Sequence, residues 1–200
     1  MQGFDAQWRD PGHYIIGITK EIWEDRNLHT LRHYYGDAMA VRTPASIVVG
    51  NRKVIGATMA TLAEWPDRRL LGEDVIWSPI RDGEGPKANG FLSSHRLLCT
   101  ATHSRPGAYG DPTGKVLRYR VLADCAAQDN AIFDEWLIRD QGAIARQIGR
   151  SPREFAIDLI AREGGIENAV RPFHPDHDEA VQYTGRGNDH EIGARHADIL

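Results

Sequence analysis

Four stretches of strand composition follow one another between Arg69 and Arg139, and this succession narrows what the chain can fold into. Arg69 to Trp77, Phe91 to His103, Lys115 to Ala127 and Ala131 to Arg139 all have strand composition and are separated by turn residues. Gly83, Gly85 and Pro86 mark one connection, Pro106 through Gly114 another, and the Asp129-Asn130 dipeptide a tight turn. Strands joined in this way form an antiparallel meander. Ahead of them the pattern is mainly helical. Tyr14, Ile15, Ile18 and Ile22 fall at helical spacing between Pro11 and Trp23, and a shorter helical stretch runs from Asn27 to Tyr34. Residues 51–64 carry Val54, Ile55, Thr58, Met59 and Leu62 on one side and stop at Pro66. Two short β-like pieces, AMAVRT and SIVVG, lie between these helices. Helices followed by a meander give an α+β fold.

The remaining chain divides by composition. A helix from Gln141 to Ile148 closes the unit over residues 1–150, and Ser151 caps one further helix over residues 151–165. Residues 166–200 are polar and acidic, hold four of the nine histidines, and make a tail or the start of another element, with Ile192, His196 and Leu200 at four-residue spacing. The HPDH segment there, with His174 and His177 beside Asp176 and Asp178, could hold a metal or be a solvated stretch.

Bulk properties exclude several partners. At 41 % hydrophobic and 26 % charged residues with a net charge of −4, the 200-residue chain has no basic footprint for nucleic acid. MQGFDAQWRD does not read as a secretory signal, and no stretch approaches the roughly 20 apolar residues of a membrane span, so a cytoplasmic location without membrane contact is expected. Cys99 and Cys125 sit in apolar strand-like runs without metal-ligand spacing and read as buried thiols. GDPTGK looks like a phosphate loop only superficially, because Lys115 is followed by valine and a strand.

Candidate site residues come from the strand faces. With Asp129-Asn130 as a two-residue hairpin turn, Asp140 pairs opposite Tyr119, Ile138 opposite Val121 and Trp136 opposite Ala123. One face then collects His95, Leu97, Cys99, Ala101 and His103, then Leu117, Tyr119, Val121, Ala123 and Cys125, then Ile132, Asp134, Trp136, Ile138 and Asp140. The other face collects Arg96, Arg118, Arg120, Asp124, Glu135 and Arg139. This register puts His103 roughly 10 Å from Asp140, across two interstrand spacings. A histidine, a tyrosine and an aspartate at one end of an apolar face suit a small-molecule cavity. Asp140 stands at a strand-to-helix joint, as a helix cap, a proton acceptor, or both. His103 is a loop-edge or a pocket residue, and Tyr119, Trp23, Trp65, Trp77 and Trp136 are core packing or cavity wall.

Four motifs carry a resemblance: IWEDRN, YYGDAMAVRTP, ATHSRPGAYGDPTGK and, most specifically, EWLIRDQGAIARQIG. Across Pro11 to Gly149 the chain resembles the SnoaL-like polyketide cyclase family of the nuclear transport factor 2-like superfamily. That resemblance implies a cone-shaped, strongly bent antiparallel sheet packed against N-terminal helices, also called cystatin-like. It implies Asp140 as the acid/base of an intramolecular aldol ring closure on a hydrophobic carbonyl substrate and His103 in the pocket; Tyr119, Trp136, Trp23, Trp65 and Trp77, from the strand faces and composition, are the expected substrate-binding residues around it. No metal or organic cofactor is implied, and such domains commonly pair as homodimers. Ala101 stands where glycine is usual, and Ser104-Arg105 where threonine-glycine is common. The alternatives are an isomerase- or epoxide-hydrolase-like activity on the same cone, and a non-catalytic small-molecule-binding or protein-interaction domain.

Overall fold

The computed structural model describes residues 1–44, 46–80 and 89–168. The tail, with its HPDH segment and its Ile192, His196 and Leu200 stripe, lies outside the described residues. Asp10 caps the first helix, α1 (Pro11–Thr19), by accepting from the backbone N–H of His13 at 2.7 Å, and Pro11 occupies the first turn. The helix then widens into a π-helical turn over Lys20–Glu24, where Asp25 N–H reaches the Lys20 carbonyl. Such a turn re-aims side chains, here Ile22 and Trp23. A 3₁₀ turn (Leu28–Thr30) and α2 (Leu31–Tyr34) lead into β1 (Tyr35–Thr43), β2 (Ser46–Val49) and α3 (Asn51–Glu64).

Four longer strands follow: β3 (Arg69–Pro79), β4 (Phe91–Thr102), β5 (Val116–Gln128) and β6 (Ala131–Arg139). The sheet order is β2-β1-β6-β5-β4-β3. The meander β3 to β6 is antiparallel throughout, and β1 joins its free edge parallel to β6. The fold is α+β. Its concave face is filled from one end by the aromatic cluster of Trp8, Tyr14, Tyr34 and Phe91 with Ile15, Ile18 and Ile22. At the other end Trp65, Tyr109, Leu117 and Tyr119 pack with Ile144 and Ile148 of α4 (Gln141–Ile148). Cys99 and Cys125 are both free and buried. Among the described residues no helix is long and apolar enough to cross a membrane.

The helical and strand segments expected from sequence are present, but the register of β6 is corrected. The hairpin turn is as expected: Asp129 and Asn130 have φ of 47° and 64°, the left-handed pair of a two-residue turn, and Gln128 faces Ala131. Two residues later the ladder slips. Ala127 pairs with Ile132, whereas Ala126 pairs with Asp134, so Phe133 is an extra residue bulged out of β6. Beyond the bulge every side chain changes face: Trp136 stands opposite Asp124, and Ile138 opposite Leu122. Asp134, Trp136 and Ile138 therefore lie on the outer face, while Glu135, Leu137 and Arg139 point into the cone.

One helix extends beyond the cone. Gly149, at φ 93°, ends α4 in the left-handed conformation, and α5 (Pro152–Arg162) turns back over the loop that follows β4. Phe155 is buried and stacks on Tyr109 with ring centroids 5.1 Å apart and planes 8° from parallel. Arg162 donates to the Ala108 carbonyl at 3.0 Å. Ser151 occupies the cap position, but its side chain makes no capping hydrogen bond.

Candidate active site

The faces that converge inside the cone leave a cavity of about 250 Å³. Leu31, Val41, Val54 and Leu137 supply apolar wall, and Tyr109, Phe155 and Leu159 line it where α5 crosses. A smaller chamber of about 50 Å³ adjoins it deeper in the cone, between α1 and the sheet. Trp23, Tyr35, Glu135, Leu137 and Arg139 line both spaces. The bulge at Phe133 and the π-helical turn after α1 thus aim Glu135, Arg139 and Trp23 at one junction.

Glu135 is the chemically distinctive group there. It is only 6 % exposed, and burial pushes its carboxyl pKa up to about 7. The Tyr35 hydroxyl donates a hydrogen bond that opposes the rise, and the neighbouring charge of Asp134 adds to it. A carboxyl with a pKa near neutrality populates both the proton acceptor and the proton donor, as acid/base chemistry requires. Burial also holds the Tyr35 hydroxyl well above its usual pKa, so it remains a donor.

Polar groups with incomplete hydrogen bonding surround this carboxyl. Arg139 hydrogen-bonds the Tyr109 hydroxyl, while its Nε is buried without a partner. Arg68 is 3 % exposed, lies over the Trp23 ring at 4.8 Å and lines the inner chamber. Glu64 lines the outer cavity with Oε1 buried and unpartnered, and a Cβ on Gly107 would come within 2.0 Å of that oxygen. His95, on the wall of the inner chamber, has Nδ1 3.5 Å from the Thr19 hydroxyl and Nε2 unpartnered; burial lowers its pKa, against a raising influence of Asp74. Among the described residues no cluster of three histidine, cysteine or acidic side chains is arranged to hold a metal ion.

The residues expected from sequence are only partly brought together. Trp23 lines both spaces. Trp65 and Tyr119 are buried against each other, with centroids 5.3 Å apart, and the Tyr119 hydroxyl has no partner. Burial raises the Tyr119 pKa, opposed by Arg68 and Arg139. Trp136 is on the outer face, where it lines a surface groove with Ile76 and Leu92; Trp77 pairs with the buried Ser93 and also lines this groove, from the end of β3. His103 is fully buried at the end of β4; its Nδ1 is 3.1 Å from the Thr113 hydroxyl, and its carbonyl accepts from Thr113 and Gly114. It anchors the connection between β4 and β5.

Asp140 is exposed and caps α4, its Oδ1 accepting from Ala143 N–H at 2.8 Å. Its own N–H bonds the Arg120 carbonyl, whereas His103 N–H bonds that of Lys115. The two positions are therefore offset along β5 by roughly 17 Å of extended chain. Asp140→Ala is expected to lower stability by about 1 kcal/mol and Asp140→Asn by much less, because asparagine caps equally well; thermal melts of both variants check this.

Glu135, Arg139, Tyr35 and Arg68 were not selected by the strand-face argument. Regular alternation put the first two outside, and a bulge at Phe133 leaves no mark in composition. Tyr35 opens a short first strand, and Arg68 precedes a strand with the composition of an ordinary exposed turn.

No protein-family model matches the chain, and no curated protein matches it in sequence. Solved structures do match in shape. IdmH, a proposed polyketide cyclase from Streptomyces antibioticus, superimposes with a TM-score of 0.56 at 20 % identity over 68 % of this chain and 96 % of its own. A SnoaL-like protein from Jannaschia sp. CCS1, described as a proposed polyketide cyclase, gives 0.56 at 15 % identity over 74 % of this chain and 100 % of its own. AclR from Streptomyces galilaeus, a proposed hydroxylase, gives 0.55 at 14 % identity over 70 % and 95 %. Two different activities are named on one architecture, so the likeness speaks to fold. The bent sheet, its N-terminal helices and the cavity between them give this chain the SnoaL-like, nuclear transport factor 2-like fold.

Proposed function

We propose that the protein catalyses proton transfer next to a carbonyl in a small, largely apolar molecule, using Glu135 as general acid/base. The observation that supports this reading most is a buried carboxyl with a pKa near 7, hydrogen-bonded to Tyr35, at the junction of two cavities. As carboxylate, Glu135 accepts a proton from the carbon alpha to the carbonyl. As acid, it returns that proton to carbon or to the oxygen formed in an aldol ring closure. Arg139 and Tyr109 hydrogen-bond the enolate oxygen as its charge develops. Asp140 acts one step away, fixing the joint between Arg139 and Gln141, both of which line the cavity.

The reaction class can be tested without the natural substrate. Aryl ketones and β-keto esters incubated with the protein in heavy water are expected to take up deuterium at the alpha carbon faster than in buffer. Glu135→Gln is expected to return the rate to that of buffer. Exchange equal for both proteins would support the ligand-binding alternative instead.

We also propose that the outer sheet face pairs with a second copy of the chain. Ile76 and Leu92 are 72 % and 50 % exposed there and line one groove with Trp136 and with Trp77, itself 46 % exposed, an apolar concentration uncommon on a free sheet surface. Light scattering should give a dimer for the native protein and a monomer for Trp77→Asp combined with Leu92→Asp. A monomeric native protein would remove the proposal.

A further inference from the structure

We propose that the inner chamber is an anion site, and that the small molecule taken into the cone carries a carboxylate that Arg68 binds. This names the substrate class for the reading above; it rests on the cone being a small-molecule site and not on Glu135 transferring a proton.

Arg68 supplies the main argument. Its side chain is almost wholly buried, yet Nε and Nη1 have no hydrogen-bond partner. The remaining nitrogen, Nη2, has only the Cys99 sulfur at 3.8 Å, a weak acceptor. A guanidinium stays charged at any accessible pH, and an unpaired buried charge is costly, so such a group normally has an anion beside it. No carboxylate among the described residues forms an ion pair with Arg68. Two acidic side chains line the cavities. Glu135 is hydrogen-bonded to Tyr35, and Glu64 lines the outer cavity with an unpartnered oxygen of its own.

The surroundings favour a ligand rather than an accident of packing. The Trp23 ring holds one face of the guanidinium at 4.8 Å, which fixes its plane in the way aromatic stacking does at arginine sites. Arg139, on the same chamber wall, brings a second cation whose Nε is also unpartnered. Thr19 and His95 add polar groups to the chamber wall, whose aliphatic part is supplied by residues such as Ile15, Ile18 and Val121. Its volume, about 50 Å³, leaves room for a carboxylate head. Glu135 and Leu137 line both spaces, so a molecule anchored at Arg68 passes Glu135 as it enters the larger cavity.

Calorimetric titration with 4-phenylbutyrate and with 4-phenylbutyramide tests this, because the two differ in charge at the head and hardly in shape. The acid is expected to bind the native protein at least about tenfold tighter than the amide. In Arg68→Met that preference should vanish with the affinity for the amide unchanged. Arg68→Lys, which keeps the charge but loses the flat fork, should show a reduced preference and decides the matter if the methionine variant does not fold. Equal binding of acid and amide by the native protein would overturn the proposal. So would a full preference surviving in Arg68→Met or Arg68→Lys, or no binding of the acid at about 1 mM. Glu135→Gln should keep the preference while losing alpha-proton exchange, so this proposal and the acid/base role can fail independently.

Discussion

Glu135→Gln is expected to lower turnover by about 10²- to 10⁴-fold while making the protein more stable above pH 7. Both effects follow from one burial. Desolvation holds the carboxyl pKa near 7 in the folded chain, above its ordinary value of 4.5. The folded state therefore binds more protons than the unfolded state between those two values, so stability falls as pH rises through that window. The loss is complete above the folded pKa and amounts to at most roughly 3 kcal/mol. Glutamine has the same shape and no charge to desolvate. Denaturation curves for both proteins should coincide near pH 4 and separate toward pH 8, with the variant the more stable. A variant that loses activity and stability together at pH 8 would mean that Glu135 is a structural group.

Phe155→Ala is expected to have the next largest effect, and a local one. Phe155 is the buried residue of α5; it stacks on Tyr109, and Arg150 lies over its ring at 5.5 Å. Removing a buried phenylalanine costs about 3 kcal/mol or more, which exceeds what a short peripheral helix can hold. Helix α5 should detach while the sheet stays folded. Tyr109 would then lose the ring that positions it, and with it the placement of its hydroxyl beside Arg139. Amide exchange within residues 152–162 should accelerate to near that of free chain, with β4 and β5 still protected. The KM for an exchanging ketone should rise about tenfold or more, with kcat less affected. Unchanged protection of α5 would show that its polar contacts, such as Arg162 with Ala108, hold it without Phe155.

What could be read from sequence, and what could not, divides along a physical line. Alternation along β4 and β5 placed His95 to His103 and Leu117 to Cys125 on the concave face, because an uninterrupted strand keeps a period of two. The turn at Asp129-Asn130 was legible because a tight hairpin needs two residues that tolerate positive φ. The site was less legible, because it depends on two local departures from regularity. The bulge at Phe133 turns Glu135 and Arg139 inward and Trp136 and Ile138 outward. The π-helical turn at Lys20–Glu24 redirects Trp23. Neither departure has a composition signal, since both are set by how long strands and helices close over one core. Asp140 was legible in position, as the carboxylate at the strand-to-helix joint, and there it caps α4. The carboxyl with the shifted pKa is five residues earlier, in a stretch that reads as an exposed strand face.

The most direct test of this account is the pKa of the Glu135 carboxyl, measured by carbon NMR titration with Glu135→Gln to assign the resonance. A midpoint near 7, moving higher in Tyr35→Phe as the hydrogen bond that stabilises the carboxylate is lost, is the expected result. A midpoint at or below the ordinary 4.5 would mean a solvated or ion-paired carboxylate, and the acid/base role of Glu135 would be contradicted.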